Sequence, residues 1–268
     1  MTSETKFIHV NSVELGYQVH AEGSGLPPLL FAHGYALRST GPMYRELFSN
    51  LTGNFTVYAL DLRGHGASAD AFADWSCEAL ADDVAAFADA LGIAGAVYAG
   101  HSIGGFTGMF ATIRHPGVFS ALCLLATAPA SAGRYTATEH GDVFLKNGAD
   151  VEAMHEIMGA AYVRAAPEEV RHAAESVAIM NRQVHEAFFP NFIHCEITQP
   201  VEAIREPCLV LNGLQDNIVP PAEQHATALG LPVCKEVNFS SEGHMFPIEA
   251  PGLTAREIVN FHQFGLTP

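Results

Sequence analysis

The fold is decided by one stretch near the middle of the chain, Ala96-Val97-Tyr98-Ala99-Gly100-His101-Ser102-Ile103-Gly104-Gly105. Its four apolar residues predict a buried strand, and the residues after Gly105 predict a helix. Ser102 then stands at the sharp turn between them, in the pattern Gly-x-Ser-x-Gly, where larger flanking side chains would collide. Such a turn exposes the serine hydroxyl beside the unpaired N–H groups that begin the helix, which is half of an acyl-transfer site. The same pattern also occurs in ordinary strand-to-helix turns, so its interpretation depends on the rest of the chain.

Length and charge narrow the class of protein. The 268 residues, 49% of them hydrophobic, are enough for one large α/β domain or for one domain with an inserted lid. The chain has no run of 18 apolar residues, and its first residues lack the basic and apolar regions of a secretory signal. A net charge of −16 disfavours nucleic acid and anionic membranes as partners. We expect a monomer or a homodimer that binds a small molecule.

Cysteine and histidine usage adds two expectations. The five cysteines are scattered and none has Cys-x-x-Cys spacing, which argues against a disulfide framework and indicates a reducing, cytoplasmic location. Cys123 and Cys208 lie in apolar runs and are expected to pack as small core side chains. The 14 histidines show no His-x-x-x-His or His-Glu-x-x-His spacing on a predicted helix. We therefore expect no metal and no cofactor.

Hydrophobic patterning predicts an α/β architecture. The predicted strands are 7–11, 13–19, 28–32, 55–60, 96–99, 122–126, 208–213 and 234–239. Most are short, apolar on both faces and separated by predicted helices, which is typical of a mostly parallel sheet covered by helices on both sides. Between 129 and 206 the alternation stops, and four helices are predicted at 142–147, 151–162, 167–181 and 184–191. The sequence thus predicts an eight-stranded core of residues 1–128 and 207–268, with a helical cap of residues 129–206 inserted after the sixth strand.

Three further stretches lie at the ends of predicted strands. Asp216 follows the strand 208–213 and precedes a proline-bounded helix, where it could anchor an imidazole or simply cap a turn. His244 follows the last strand, in a loop where a histidine is more often a solvated polar residue. His33 and Gly34 follow the predicted strand 28–32, so that the backbone N–H of the next residue, Tyr35, can face Ser102. The chain order of nucleophile, acid and histidine is the one expected for a hydrolase with this type of turn.

With these motifs the chain resembles the α/β-hydrolase superfamily, and in particular its smaller capped enzymes, from about residue 7 to residue 264. The resemblance implies that Ser102 is the nucleophile, that His244 is its general base and acid, and that Asp216 orients the imidazole. It also implies an oxyanion hole made by the backbone N–H groups of Tyr35 and Ile103. We expect the His101 side chain to point away from Ser102 and to pack or hydrogen-bond beneath the turn, and we expect His33 to order its own loop.

The substrate site can be predicted only coarsely. We expect a small to medium substrate that is mostly apolar around a carbonyl group. Methionine and phenylalanine on a helix more often belong to the plain core, so the residues of the cap are the weaker candidates. The candidate substrate-binding residues are Tyr35, Ile103, Met154, Met158, Met245 and Phe246.

Three functions remain open at this point. The first is hydrolysis of a carboxylic ester or a lactone through a Ser-His-Asp triad and an acyl-enzyme. The second is hydrolysis of a C–C bond in aromatic ring-cleavage products, which would use the same triad. The third is a receptor of the same fold that binds a small ligand and hydrolyses it slowly. Epoxide hydrolases and haloalkane dehalogenases are set aside, because they resemble this chain but carry aspartate where it has Ser102.

Overall fold

A computed structural model describes residues 3–69, 75–131, 137–192, 194–198 and 200–265, without the side chains of residues 137–141 and 189. Its centre is one eight-stranded sheet in the order β1-β2-β4-β3-β5-β6-β7-β8. The β1–β2 and β2–β4 pairs are antiparallel, and every other pair is parallel. The strands are β1 (Lys6–Val10), β2 (Val13–His20), β3 (Pro28–Ala32), β4 (Thr56–Leu60), β5 (Ala96–His101), β6 (Phe119–Leu125), β7 (Cys208–Gly213) and β8 (Cys234–Phe239).

Helices cover the sheet and explain why its central strands are buried throughout. All six residues of β5 and of β7 are buried, as expected for parallel strands packed on both faces. The described α-helices outside the insertion are α1 (Arg45–Leu51), α2 (Cys77–Ala90), α3 (Ile103–Arg114), α8 (Pro221–Gly230), α9 (Phe246–Glu249) and α10 (Pro251–Phe264). Among them, α2 packs on α3, and α1 packs on α10. The predicted α/β class and the eight-stranded, mostly parallel sheet are confirmed.

Among the described residues between β6 and β7 there are four α-helices, which we call the inserted helices. They are α4 (Ala137–Asn147), α5 (Val151–Gly159), α6 (Pro167–Ile179) and α7 (Arg182–Phe192). They form two packed pairs, α5 with α6 and α4 with α7. Residues 132–136, 193 and 199 of the predicted cap lie outside the described residues. The division into a core and a cap domain, with boundaries near 129 and 206, stays a prediction.

The direction of the strands brings the candidate residues to one edge of the sheet. Residues 33–35 follow β3, residue 102 follows β5, residues 214–216 follow β7 and residues 240–244 follow β8. Because these four strands run parallel, their carboxyl ends meet at the same edge, where α/β proteins bind their ligands. Within the described ranges, no helix has both the length and the hydropathy needed to cross a bilayer.

Candidate active site

The turn at Ser102 has the strained backbone that the sequence predicts. Ser102 has φ 53° and ψ −116°, a conformation that residues other than glycine rarely adopt. Its N–H donates to the carbonyl of Leu125 (2.9 Å), and its carbonyl accepts from the N–H of Ala128 (2.9 Å). The end of the neighbouring strand β6 therefore holds the turn on both sides. Ser102 is 9% exposed, at the start of α3.

Two glycines make this turn sterically possible. A Cβ atom on Gly100 would lie 2.4 Å from the carbonyl group of Gly104. A Cβ atom on Gly104 would lie 2.4 Å from the carbonyl oxygen of Ala32, at the end of β3. Since carbon atoms do not approach backbone atoms so closely, α3 can begin between β3 and β5 only without side chains at these positions.

The His244 and Asp216 side chains are in direct contact. His244 Nδ1 donates to Asp216 Oδ2 at 2.8 Å, and both residues are buried. The second oxygen, Oδ1, accepts the N–H groups of Ile218 and Val219 (2.8 Å each), and Gln224 Nε2 donates to Oδ2 (2.8 Å). Four donors thus hold the Asp216 carboxylate in place as an acceptor. The proton of a neutral His244 ring then sits on Nδ1, which leaves Nε2 able to accept one.

His101 connects the Ser102 turn to the backbone of His244. A carbonyl oxygen can only accept, so His101 Nε2 donates to the His244 carbonyl (3.0 Å), and Nδ1 accepts the hydroxyl proton of Tyr44 (2.7 Å). Burial lowers the pKa of His101 well below the usual value of 6.5, so the ring is neutral. The expectation that His101 hydrogen-bonds beneath the turn is therefore met. Its contact with His244, 143 residues away, carries no local sequence signal.

The loop after β3 lies directly against the turn. A Cβ atom on Gly34 would be 3.4 Å from the Cβ atom of Ser102. His33 fixes this loop: its Nε2 accepts the N–H of Leu62 (3.0 Å) and its Nδ1 donates to the carbonyl of Gly34 (2.7 Å). Burial lowers the pKa of His33 to about 4. Tyr35 follows Gly34 directly in this loop.

Asp61 anchors the far end of the same loop. Its Oδ1 accepts the N–H groups of Ser39 (2.6 Å) and Thr40 (2.9 Å), and its Oδ2 accepts the N–H of Ala67 (2.7 Å) and the Thr40 hydroxyl. Burial raises the pKa of Asp61 to about 6, and the hydrogen bonds from Thr40 oppose this rise. The Asp61 carboxylate thus holds the loop after β3 against the segment that follows β4.

The Tyr35 side chain joins this loop to the inserted helices. Its ring stacks on Phe188 of α7, with centroids 4.3 Å apart, and meets the edge of Phe144 of α4 at 5.2 Å. Its hydroxyl shares a hydrogen bond of 2.7 Å with Nδ1 of His185 on α7. Burial lowers the pKa of His185 to about 4, so this ring is also neutral. These partners of Tyr35 on α4 and α7 were not predicted, since they lie more than 100 residues away in the sequence.

The other predicted site residues are buried at three places. Ile103 begins α3, where the first N–H groups have no partner within the helix. Met245 and Phe246 begin α9, and the Phe246 ring meets the edge of Phe239 of β8 at 5.3 Å. Met154 and Met158 are buried on α5, which packs on α6. Their part in substrate binding stays a prediction. In the described part of the chain, no group of three His, Cys, Asp or Glu residues could hold a metal ion.

Comparison with known proteins establishes the class. The alpha/beta hydrolase fold family matches residues 27–251, and the chain therefore belongs to this family of hydrolases. The strigolactone esterase RMS3 of Pisum sativum is 25% identical over 255 residues, which cover 90% of this chain and 95% of that protein. The pimeloyl-acyl-carrier-protein methyl ester esterase of Xanthomonas campestris is 27% identical over 233 residues, 81% of this chain and 88% of that protein. A hydrolase structure from Pseudomonas aeruginosa PA01 shares the fold, with a TM-score of 0.85 at 22% identity over 97% of this chain and 98% of that one.

Proposed function

We propose that this chain is a serine hydrolase that cleaves small to medium carboxylic esters or lactones. The observation that carries the proposal is the buried hydrogen bond between His244 and Asp216, at the edge of the sheet where Ser102 occupies the strained turn. A serine hydroxyl is a weak nucleophile until a base accepts its proton. A neutral imidazole whose Nδ1 is held by a carboxylate has its Nε2 available for that purpose.

The chemistry follows from these roles. Ser102 Oγ attacks the carbonyl carbon while its proton passes to His244 Nε2, and Asp216 stabilises the imidazolium that forms. The negative charge on the former carbonyl oxygen is stabilised by the backbone N–H groups of Ile103 and Tyr35. Collapse of this intermediate breaks the ester C–O bond, and His244 returns the proton to the leaving alcohol. Water then attacks the acyl-enzyme through the same residues and releases the carboxylic acid.

Two facts support an ester as substrate. The relatives from Pisum sativum and Xanthomonas campestris are both named esterases. The Tyr35 ring contacts the rings of Phe144 and Phe188, and such an apolar surface suits a substrate with an apolar body around its carbonyl group. A lactone is a cyclic ester and requires no other chemistry.

The test is a substrate panel run on the wild type and on Ser102→Ala. The panel contains p-nitrophenyl esters of rising acyl length, acyl-homoserine lactones and one aromatic ring-cleavage product. We expect repeated turnover of an ester or a lactone by the wild type, and a loss of at least about 10³ in kcat for the folded variant. Ester turnover that survives in Ser102→Ala would overturn the proposal. Turnover of the ring-cleavage product alone, or a single slow turnover, would replace it by one of the other two functions.

A further inference from the structure

One loop of the inserted helices contacts both loops that carry the proposed acid and base. This loop, residues 160–166, joins α5 to α6. Asn217, next to Asp216, donates from Nδ2 to the carbonyl of Ala160 (2.6 Å). A Cβ atom on Gly243, next to His244, would lie 2.7 Å from the Val163 side chain. The loop therefore packs directly against the candidate active site.

Arg164 makes the most extensive of these contacts. Its Nη1 donates to the carbonyl of Ser241 (2.8 Å), and its Nη2 forms an ion pair with the Glu242 carboxylate. Its backbone N–H donates to the carboxylate of Glu249 on α9, which also accepts the N–H of Val163 (3.0 Å). One guanidinium group thus spans the two residues that precede Gly243 and His244.

The Glu242 side chain is only 10% exposed, whereas that of Arg164 is 47% exposed. A buried carboxylate is costly unless an opposite charge compensates it, so the conformation of this loop depends on Arg164. The backbone of Glu242 also reaches the acid loop, because its carbonyl accepts the N–H of Gln215 (2.8 Å). Holding Glu242 therefore fixes the spacing between the segment before Asp216 and the segment before His244.

We propose that Arg164 is a positioning residue for hydrolysis, which keeps the His244 loop in register with Asp216 and with Ser102. This inference rests on the proposed function. It gives the inserted helices a part in assembling the catalytic residues, beyond covering the substrate. Since a displacement of about 1 Å in a catalytic group can cost 10²-fold in rate, loss of Arg164 is expected to lower kcat and to leave KM nearly unchanged.

The experiment compares Arg164→Ala with the matched control Arg171→Ala. Arg171 lies on α6, its side chain is also 47% exposed, and it pairs with an exposed residue, Glu152. With a p-nitrophenyl ester as substrate, we expect Arg164→Ala to lose about 10- to 100-fold in kcat with KM within about twofold. Arg171→Ala should match the wild type. Guanidinium chloride at about 20 mM should restore kcat of Arg164→Ala at least about threefold, whereas sodium chloride should not, because only the planar ion can replace both hydrogen bonds.

Three results would overturn the inference: an unchanged kcat in Arg164→Ala, a loss confined to KM, or a loss that guanidinium does not restore. If the alanine variant is insoluble, Arg164→Lys replaces it. Lysine keeps the charge but lacks the fork that reaches Ser241 as well as Glu242, so kcat should fall about three- to tenfold and a wild-type kcat would refute the inference. A fluorophosphonate probe distinguishes failure of this inference from failure of the proposed function. If the wild type is labelled at Ser102 and Arg164→Ala is labelled equally fast, only the positioning role of Arg164 is refuted. If the wild type is not labelled at Ser102, the proposed function is refuted.

Discussion

The Asp216 carboxylate accepts four hydrogen bonds, of which only one comes from His244. The other three donors fix the direction of its oxygens before any substrate is present. Asp216 could be predicted as the acid from its place after β7. Its contact with Gln224 could not, because a glutamine on a helix shows no sign in the sequence of which side chain it will meet.

Replacing Asp216 by asparagine should lower kcat by about 10³- to 10⁴-fold while the protein stays folded. The amide group placed toward His244 would donate to Nδ1, which forces the ring proton onto Nε2 and removes the base. The measurement is steady-state ester hydrolysis together with circular dichroism. Asp82→Asn is the matched control, since Asp82 also contacts a histidine, His115, at 2.7 Å, but on the exposed surface. A variant at position 216 that stays within about tenfold of the wild type would show that the acid is another residue.

At the scale of elements, the strands and most helices could be predicted from hydrophobic patterning. β3, β7 and β8 begin and end where the sequence predicts, because apolar runs bounded by turn residues mark them. The four-residue helix α9 was not predicted, since so short a segment has no periodicity. Contacts between elements could not be predicted from the sequence either. The clearest case is the hydrogen bond between Tyr35, in the loop after β3, and His185 on α7.

This hydrogen bond should couple the inserted helices to the proposed oxyanion hole, since Tyr35 supplies both the backbone N–H and the side chain that α7 holds. Tyr35→Phe should lower the free energy of unfolding by about 1 kcal/mol, because it leaves Nδ1 of His185 unpaired. It should also reduce kcat, because α7 then no longer holds the side chain of the residue whose backbone N–H is proposed to bind the oxyanion. His185→Leu in addition should cost little more. A double-mutant cycle on urea unfolding and on ester hydrolysis measures the coupling. Strictly additive effects of the two substitutions would mean that the contact couples nothing.

At the scale of the whole molecule, the interior contains neutral histidines that would be protonated at mildly acidic pH in the unfolded chain, where water solvates them. Burial lowers the pKa of His33 and His185 to about 4, and lowers those of His65 and His101 well below 6.5. The sequence showed 14 histidines but not which of them the fold buries. Similarly, the helical content of the insertion could be predicted, whereas its contacts with the Asp216 and His244 loops could not.

Between about pH 4 and pH 6.5 the native state binds fewer protons at these histidines than the unfolded chain does, so stability must fall as the pH falls through this window. At about pH 5 each histidine with a pKa near 4 should contribute a loss of about 2 kcal/mol relative to neutral pH. Asp61, whose pKa is raised to about 6, acts in the opposite direction and offsets about 1 kcal/mol. Urea unfolding at about pH 7.5 and pH 5 tests the sum, and a midpoint at pH 5 that is equal or higher would contradict it.

The central claim is that Ser102 is made nucleophilic by His244, and covalent labelling tests it most directly. The wild type is treated with a fluorophosphonate probe, and the modified peptide is identified by mass spectrometry. The account predicts one adduct per chain, on Ser102, and labelling at least about a hundredfold slower in His244→Ala. An adduct on a different residue, or a labelling rate that His244→Ala leaves unchanged, would contradict it.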